Sequence, residues 1–220
     1  MPLRPQIVPT LMPLGDRAIL VRFADRLDLD ANAAAITFAR ALESTRLPGI
    51  VEIAPNLVSV LIRYDPERIG YRALVGEIGL IERPDGDVTS SRIQTIAISY
   101  GGQDGPDIEV VAAQLGLDVP AFIAAHGAEP LRVLSVGFAP GFVYCGLHDE
   151  VMLVSRRETV RQTVPPGSVL FAARQTAIAA TSIPTGWPVI GRTRFVNFDP
   201  ASNPPARIRA GDRVAFEQAP

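Results

Sequence analysis

The first eighty residues carry apolar patterns of two kinds, short alternating runs and one longer helical run. Residues 17–23, RAILVRF, alternate as a half-buried strand does and follow a turn signal. Asp30 is placed to cap the helix that follows, and Pro48-Gly49 is expected to end it. The apolar positions of this helix are Ile36, Phe38, Ala39 and Leu42. The pattern therefore predicts a strand followed by a helix.

Two further strands and a second helix complete the first part of the chain. Residues 50–53 and 57–64 are apolar runs of strand length, and Asp65-Pro66 is predicted to start a helix whose apolar face extends to Leu80. The resulting β-α-β-β-α order is typical of a small ferredoxin-like α+β unit. We predict such a domain over residues 1–84.

The polar stretch 83–91, RPDGDVTSS, has no apolar periodicity and is predicted to be a linker. After it, residues 92–100 have the pattern of a strand. Two short helices are predicted over 107–116 and 119–125, the second capped by Asp118 with a proline in its first turn. A second domain is therefore expected to begin directly after the linker.

From Leu131 onward the pattern consists of short β segments separated by glycine and proline. These segments are LRVLSVG, GSVLFAA, QTAIAAT, WPVIGRT, RFVNF and DRVAFEQ. Many short strands with frequent turn signals are typical of a barrel or a sandwich. We place this second domain at residues 92–220 and assign the whole chain to the α+β class.

Composition limits the possible function classes. The chain has 220 residues, 47% of them hydrophobic, and a net charge of −2, so it can bury a core and has no basic field for nucleic acid. No apolar run approaches the ~20 residues that span a bilayer, and the proline-broken N-terminus does not resemble a signal peptide, so we expect a cytoplasmic protein. All 21 basic residues are arginine, which excludes lysine Schiff-base chemistry and a phosphate-loop lysine.

The histidines and the single cysteine give little support for a metal or redox site. His126 ends a predicted helix, and His148 lies beside Asp149 and Glu150, where we expect a solvated turn residue. Two histidines without a third ligand at a metal spacing do not predict a zinc site. Cys145 has no base in its own segment, so we interpret it as a small buried packing residue.

Arginines and isolated polar residues are the better candidates for chemistry. Arg156, Arg157 and Arg161 precede a rigid Pro-Pro-Gly-Ser turn, where they could clamp a carboxylate or phosphate or form a solvated basic face. Gln175 and Thr176 interrupt an otherwise apolar strand pattern. Buried polar residues in such positions either find a protein partner or serve a ligand.

Several of these motifs occur together in one known family. The segments GFAPGFVYCGL, SRR, VPPGSV, RQTAIA and PTGWPVIGRT resemble, in this order, the allophanate hydrolase subunit 1 family, which is also called the KipI family or the family of the 5-oxoprolinase B subunit. PLGDRAILVRF and LVSVLIRYDP resemble its first domain, and ISYGGQDGPDIEVVAAQLGL resembles the entry to its second. The resemblance covers nearly the whole chain.

The resemblance implies a small α+β domain followed by a cyclophilin-like β-barrel. Members of the family work with a homologous-fold subunit, of the type of allophanate hydrolase subunit 2 or the 5-oxoprolinase C subunit, and a LamB/YcsF-type subunit can accompany them. They serve ATP-dependent opening of 5-oxoproline or carboxyltransferase steps of urea carboxylase-type systems, and one member inhibits a sporulation histidine kinase. An ATP-dependent amide hydrolase subunit, with ATP bound through the partner, is therefore expected, and a KipI-type regulatory protein is the alternative.

Residues that match the family motifs fall into two groups. We expect catalytic roles for His126 as general acid-base, Arg156 as partner of a carboxylate or phosphorylated intermediate, and Gln175 as the residue that orients a carbonyl. The expected substrate-binding residues are Phe138, Pro140, Phe142, Tyr144, Arg161, Gly167, Ser168, Thr176, Trp187 and Arg192. Ala179 stands where the family has tyrosine, which predicts a wider and less polar pocket.

Two alternatives to this site remain. The glycines and prolines of these motifs also have a purely structural interpretation, as the corners of a barrel. In a regulatory protein, the same groove would instead present Phe138, Phe142 and Trp187 to a peptide of the partner.

Overall fold

A computed structural model describes residues 7–81 and 93–220 of the chain. The chain divides into two compact units, Met1–Val88 and Thr89–Pro220. The linker predicted over 83–91 lies outside the described residues, and the domain bounds 1–84 and 92–220 stay predictions. Each unit has a hydrophobic cluster of its own.

The first unit is a four-stranded antiparallel sheet with two helices, in the sheet order β1-β2-β4-β3. Its elements are β1 Thr10–Pro13, β2 Ala18–Arg22, α1 Leu29–Thr45, β3 Ile50–Asn56, β4 Ser59–Tyr64 and α2 Tyr71–Leu80. Strand β4 lies between β2 and β3, as in a ferredoxin-like unit. The remaining edge is taken by β1, which was not predicted because prolines interrupt its pattern.

Both predicted helix starts in this unit are wrong. Asp28 is the N-cap of α1, and its carboxylate accepts a hydrogen bond from the backbone N–H of Ala31 at 2.8 Å. Asp30 lies instead in the first helical turn, where a negative charge stabilises the helix dipole. Asp65 forms a separate turn in which its carboxylate accepts from the N–H of Glu67, so α2 begins only at Tyr71.

The second unit is built around a closed seven-stranded barrel with the order β10-β7-β6-β13-β5-β12-β9. The described part of this unit has nine strands: β5 Ile93–Tyr100, β6 Leu131–Val136, β7 Val143–Gly146, β8 Arg161–Val164, β9 Ser168–Ala172, β10 Gln175–Ile178, β11 Ile183–Thr185, β12 Val189–Arg192 and β13 Arg213–Gln218. Of these, β8 and β11 pair with each other in a separate two-stranded sheet. Strand β13 closes the barrel by pairing in parallel with β5 and antiparallel with β6. The predicted class, a ferredoxin-like α+β unit followed by a β-barrel, is confirmed.

Two helices, α3 Ile108–Gln114 and α4 Val119–His126, connect β5 to β6. As predicted, Asp118 caps α4, and its carboxylate accepts from the N–H of Ala121 at 2.8 Å. Among the described residues, no single helix is long and apolar enough to span a membrane. Helices α3 and α4 are bent by 85° relative to each other and reach that length and apolar composition only when they are taken together.

The strand predicted over 194–198 is wrong, because Phe198 makes only one isolated bridge, to Ala206. The buried side chain of Asn197 holds this segment instead. Its amide donates to the carbonyl of Gly141 at 3.1 Å, and its oxygen accepts from the N–H of Ile208 at 2.8 Å. Side-chain hydrogen bonds thus replace the backbone ladder that the apolar pattern predicted.

Strands β7, β9 and β10 of the barrel are buried on both faces. Side chains alternate along each strand, so β10 directs Thr176 and Ile178 to the barrel interior and Gln175 and Ala177 to its outer face. The interior is filled by a large apolar cluster. A second cluster, which includes Trp187, covers the outer face of β7, β9 and β10.

Candidate functional site

Four aromatic side chains form a continuous row on the outer face of the barrel, which we call the aromatic stripe. The ring centroids are 5.6 Å apart for Phe138 and Phe142, 4.7 Å for Phe142 and Tyr144, and 6.0 Å for Tyr144 and Trp187. These are the distances of interacting aromatic pairs. Phe142 and Trp187 are buried, whereas the side chain of Phe138 is 73% exposed. The Trp187 end of the stripe is therefore buried, and the Phe138 end faces solvent.

The turn before β7 places the first two rings of the stripe. Gly141 has φ +73°, and a Cβ there would come within 2.4 Å of the Cβ of Phe198, so only glycine fits. Phe138 also has a positive φ, of 77°. Pro140 is exposed in the same turn. The glycine-phenylalanine motif is thus a tight corner that holds Phe142 under the turn.

Strand pairing places Gln175 next to the stripe. Tyr144 lies opposite Ala177 on β10, and Gln175, two residues away on the same face, lies between Gly146 and Ala172 of the neighbouring strands. Gln175 is only 7% exposed. Its side-chain nitrogen is buried and has no hydrogen-bond partner among the described residues. Such an unpartnered donor is uncommon in a folded protein and costs stability unless a ligand or water satisfies it.

Arg156 lies beside the surface along the aromatic stripe, which we call the groove. Its guanidinium carbon lies 5.7 Å from the centre of the Trp187 ring, in cation–π geometry. Burial raises the pKa of Tyr144, and the positive charge of Arg156 acts in the opposite direction. Arg156 makes no ion pair among the described residues, so its charge is available to an anionic group in the groove.

The other two arginines of this segment are bound to one carboxylate. Arg157 and Arg161 contact the same oxygen of Asp107, at 2.6 and 2.7 Å. The side chain of Asp107 is 9% exposed, and the two arginine side chains are about one-third exposed or less. Asp107 was not predicted as a site residue, because a glycine-rich loop gives no sign that one of its acids is buried. Nη2 of Arg161 is therefore bound to a protein partner, whereas its buried Nε has no hydrogen-bond partner among the described residues.

The polar groups of the Pro-Pro-Gly-Ser turn form hydrogen bonds within the turn and with neighbouring segments of the protein. The N–H of Gly167 donates to the carbonyl of Ala179 at 2.7 Å, and the hydroxyl of Ser168 donates to the carbonyl of Pro165 at 2.8 Å. The Nε–H of exposed Arg192 donates to the carbonyl of Pro166 at 3.3 Å. These contacts belong to the turn, and none of them reaches the aromatic stripe.

Inside the barrel, four side chains form a chain of hydrogen bonds. The hydroxyl of Tyr100 lies 2.7 Å from Nδ1 of His126, whose Nε2 lies 2.8 Å from the hydroxyl of Thr176. The same hydroxyl lies 2.8 Å from Nε2 of His148. The prediction that His148 is a solvated turn residue is wrong, because the ring is 5% exposed and packs 4.9 Å from that of His126. Thr176 therefore serves the interior of the barrel.

The buried environment of these hydrogen bonds favours the neutral form of both histidines. Burial, and then the neighbouring His148, lower the pKa of His126 well below its ordinary value. Burial, and then Arg174, lower the pKa of His148 to about 4. One hydroxyl donates only one proton, so Thr176 donates to one ring and accepts from the other. His126 has no exposed surface, so a proton exchanged with a bound molecule would pass through Thr176 or Tyr100.

Cys145 lies opposite Thr176 in the strand ladder and is fully buried, which confirms its interpretation as a packing residue. Burial raises the pKa of its thiol to about 12, so it is not a thiolate at neutral pH. No group of three or more histidine, cysteine, aspartate or glutamate side chains within 7–81 and 93–220 is arranged to hold a metal ion.

A separate cavity of about 310 Å³ lies in the first unit, where it is lined by Arg17, Val51, Arg63, Tyr64, Asp65 and Glu67. Arg63 is paired with Glu52 at 2.8 Å, and none of the predicted site residues lines this cavity. We therefore take the groove along the aromatic stripe as the candidate site. The predicted residues that the structure brings together there are Phe138, Phe142, Tyr144, Arg156, Gln175 and Trp187.

This chain matches one protein family and curated proteins that share one name. Residues 9–208 match the family described as carboxyltransferase domain, subdomain C and D. The B subunit of 5-oxoprolinase from Bacillus subtilis (strain 168) is 33% identical over 215 residues, which cover 92% of this chain and 90% of that protein. The B subunit of 5-oxoprolinase from Escherichia coli O157:H7 is 33% identical over 205 residues, which cover 92% of this chain and 93% of that protein.

A solved structure supports the same grouping. The crystal structure of TTHA0988 matches with a TM-score of 0.84 and 30% identity over 93% of this chain. This chain spans only 40% of the length of TTHA0988. A region homologous to both units thus occurs there as part of a longer chain.

Proposed function

Because the chain belongs to the carboxyltransferase domain, subdomain C and D, family, we propose that it is one subunit of an ATP-dependent amide-bond hydrolase of the 5-oxoprolinase type. The observation that carries the proposal is the pairing of two unsatisfied groups on one groove. Arg156 has no carboxylate partner, and the amide nitrogen of Gln175 has no acceptor, among the described residues. A small cyclic amide with a carboxylate supplies both missing groups.

The groove fits such a molecule in three ways. The flat ring of a lactam would lie against Tyr144 and Trp187, as apolar rings commonly do in ligand sites. Its carboxylate would pair with Arg156, a charge-assisted contact. Its amide carbonyl would accept from Gln175, and this hydrogen bond would strengthen as negative charge develops on the oxygen during opening of the ring.

ATP and a partner subunit belong to the proposal. The chain has no lysine and no phosphate-loop motif, so ATP would be bound by the partner or at a shared interface. The partner would be a homologous-fold subunit of the type of allophanate hydrolase subunit 2 or the 5-oxoprolinase C subunit, with a LamB/YcsF-type subunit as a third component. Both relatives are named as one lettered subunit of an enzyme, which supports a multi-subunit assembly. His126 would act as general acid-base only through Thr176 or Tyr100. The cytoplasmic location of the protein stays a prediction.

The test is ATP-dependent release of glutamate from 5-oxoproline by the chain co-expressed with its partner subunits. Arg156→Gln is expected to raise KM about tenfold or more, because a hydrogen bond to a charged group contributes about 1.5–3 kcal/mol. Arg194→Gln, which changes an exposed arginine elsewhere in this unit, is the matched control. An intact complex without turnover would defeat the substrate assignment.

Gln175 gives a second, independent test of the groove. Gln175→Glu keeps the shape of the side chain but replaces the donating nitrogen with an acceptor, and should lower kcat by about 10²-fold if the donor stabilises developing negative charge. Unchanged kcat in this variant would remove Gln175 from the site.

A regulatory binding protein of the KipI type is the second candidate. The 73% exposed ring of Phe138, at the end of the stripe, favours this possibility because large apolar surfaces at a groove commonly contact protein partners. Binding of a purified sensor histidine kinase, measured with wild type and Phe138→Ser, tests it. If Trp187→Ala and Phe138→Ser both bind the kinase as wild type does, the groove is not the contact.

A further inference from the structure

The carboxylate of Asp107 joins three segments of the barrel unit. One oxygen accepts from Nη1 of Arg157 at 2.6 Å and from Nη2 of Arg161 at 2.7 Å. The other oxygen accepts from the backbone N–H of Val189 at 2.7 Å, and the N–H of Asp107 itself donates to the carbonyl of Val189 at 3.0 Å. The group is largely buried, so these hydrogen bonds are shielded from water.

The partners of Asp107 belong to the two walls of the candidate groove. Arg157 directly follows Arg156, and its N–H donates to the carbonyl of Gly186 at 2.7 Å. Val189 starts β12, two residues after Trp187. A single carboxylate therefore connects the segment that carries Arg156 with the segment that carries the tryptophan of the groove.

The loop that carries Asp107 is itself fixed against β12. The N–H of Gly101 donates to the carbonyl of Ile190 at 3.2 Å, and the N–H of Gly105 donates to the carbonyl of Gly101 at 2.8 Å. A Cβ on Gly105 would lie 2.1 Å from the carbonyl oxygen of Ile190, so the close approach requires glycine there. The GGQDGPD loop is thus a rigid support for Asp107, a role that its composition did not predict.

The charge on Asp107 is needed as well as its shape. Two guanidinium groups share one carboxylate oxygen, so loss of the negative charge would leave two half-buried cations close together without a counterion. An amide at this position has one acceptor oxygen and one donor nitrogen, so the nitrogen would face either the two arginines or the N–H of Val189. Asparagine would therefore lose the hydrogen bonds to the arginines or the hydrogen bond to Val189, and it would also lose the counterion of the arginines.

We propose that Asp107 is a positioning residue for the groove, which holds the 155–161 segment against β12 and so fixes Arg156 over the ring of Trp187. The part of this proposal that concerns ligand binding rests on the proposed function. The part that concerns the position of Trp187 does not, because it can be measured without turnover.

Trp187 is the only tryptophan of the chain, so tryptophan fluorescence, excited at wavelengths that tyrosine does not absorb, reports on this wall of the groove alone. In Asp107→Asn we expect emission at longer wavelength and a larger acrylamide quenching constant than in wild type, because the ring loses its cover. Asp107→Glu, which retains the charge, should recover most of the wild-type signal. The control is Asp118→Asn, which removes a helix-capping carboxylate in the same unit and should leave the Trp187 signal unchanged.

Unchanged emission and quenching in folded Asp107→Asn would overturn the proposal. If this variant does not fold, Arg157→Gln and Arg161→Gln each remove one hydrogen bond to the carboxylate, and wild-type fluorescence in both variants would overturn it equally. In the active complex, Asp107→Asn should raise KM for 5-oxoproline. A shifted signal together with an inactive wild-type complex would support the positioning role and reject the proposed substrate, so the two failures are distinguishable.

Discussion

The hydrogen-bond chain inside the barrel predicts a large cost for replacing Thr176 with valine. Valine keeps the volume of threonine and removes the hydroxyl that lies 2.8 Å from both His126 and His148. A buried polar group without a partner costs about 1–3 kcal/mol. Because two imidazoles lose a partner here, we expect the free energy of unfolding to fall by about 2–4 kcal/mol. Thr176→Ser keeps the hydroxyl and removes one methyl group, which should cost only about 1 kcal/mol.

Urea unfolding at pH 7.5, followed by the fluorescence of Trp187, measures this difference. The sole tryptophan lies in the barrel unit, so the signal follows the unit that contains Thr176. The expected order of unfolding midpoints is wild type, then Thr176→Ser, then Thr176→Val. If the valine variant unfolds at the same urea concentration as the serine variant or a higher one, the hydroxyl does not connect the two rings.

Burial and capping give three further predictions. Burial lowers the pKa values of His126 and His148 below the ordinary 6.5, so the unfolded chain takes up more protons than the folded chain below that pH. Between pH 6.5 and 5 the free energy of unfolding should therefore fall by up to about 1.4 kcal/mol per pH unit and ring, and a urea midpoint that stays constant over this range would contradict the prediction. Cys145 should react with a thiol reagent only after urea unfolding, and rapid reaction of the native chain would show that it is accessible. Asp28→Ala should cost about 1 kcal/mol in the free energy of unfolding and Asp30→Ala less, as two chemical denaturation curves would show.

The order of elements and the barrel could be predicted from the sequence, but not which side of a strand faces the interior. All four residues of β10 are buried, because the barrel interior covers one face and a second apolar cluster covers the other. A strand that is apolar throughout gives no signal that separates its faces. Gln175 and Thr176 were therefore predicted as one pair, although they point to opposite sides.

Local sequence gave no sign that His148 and Asp107 are buried. His148 stands beside two exposed acidic residues, yet its ring enters the barrel and meets Thr176. Asp107 lies in a polar loop and binds two arginines that come about fifty residues later. Local composition reflects only the nearest residues in the sequence, whereas the burial of His148 and of Asp107 depends on segments that are distant in the sequence and meet in the barrel unit.

Closure of the barrel by its first and last strands also has a consequence for how the unit forms. Residues 213–218 pair in parallel with 93–98, so the two edges of the sheet can be joined only after the last strand has left the ribosome. Until then β5 and β6 present open edges, which are templates for aggregation. Because the contacts that close the barrel span more than a hundred residues, we expect this unit to fold slowly.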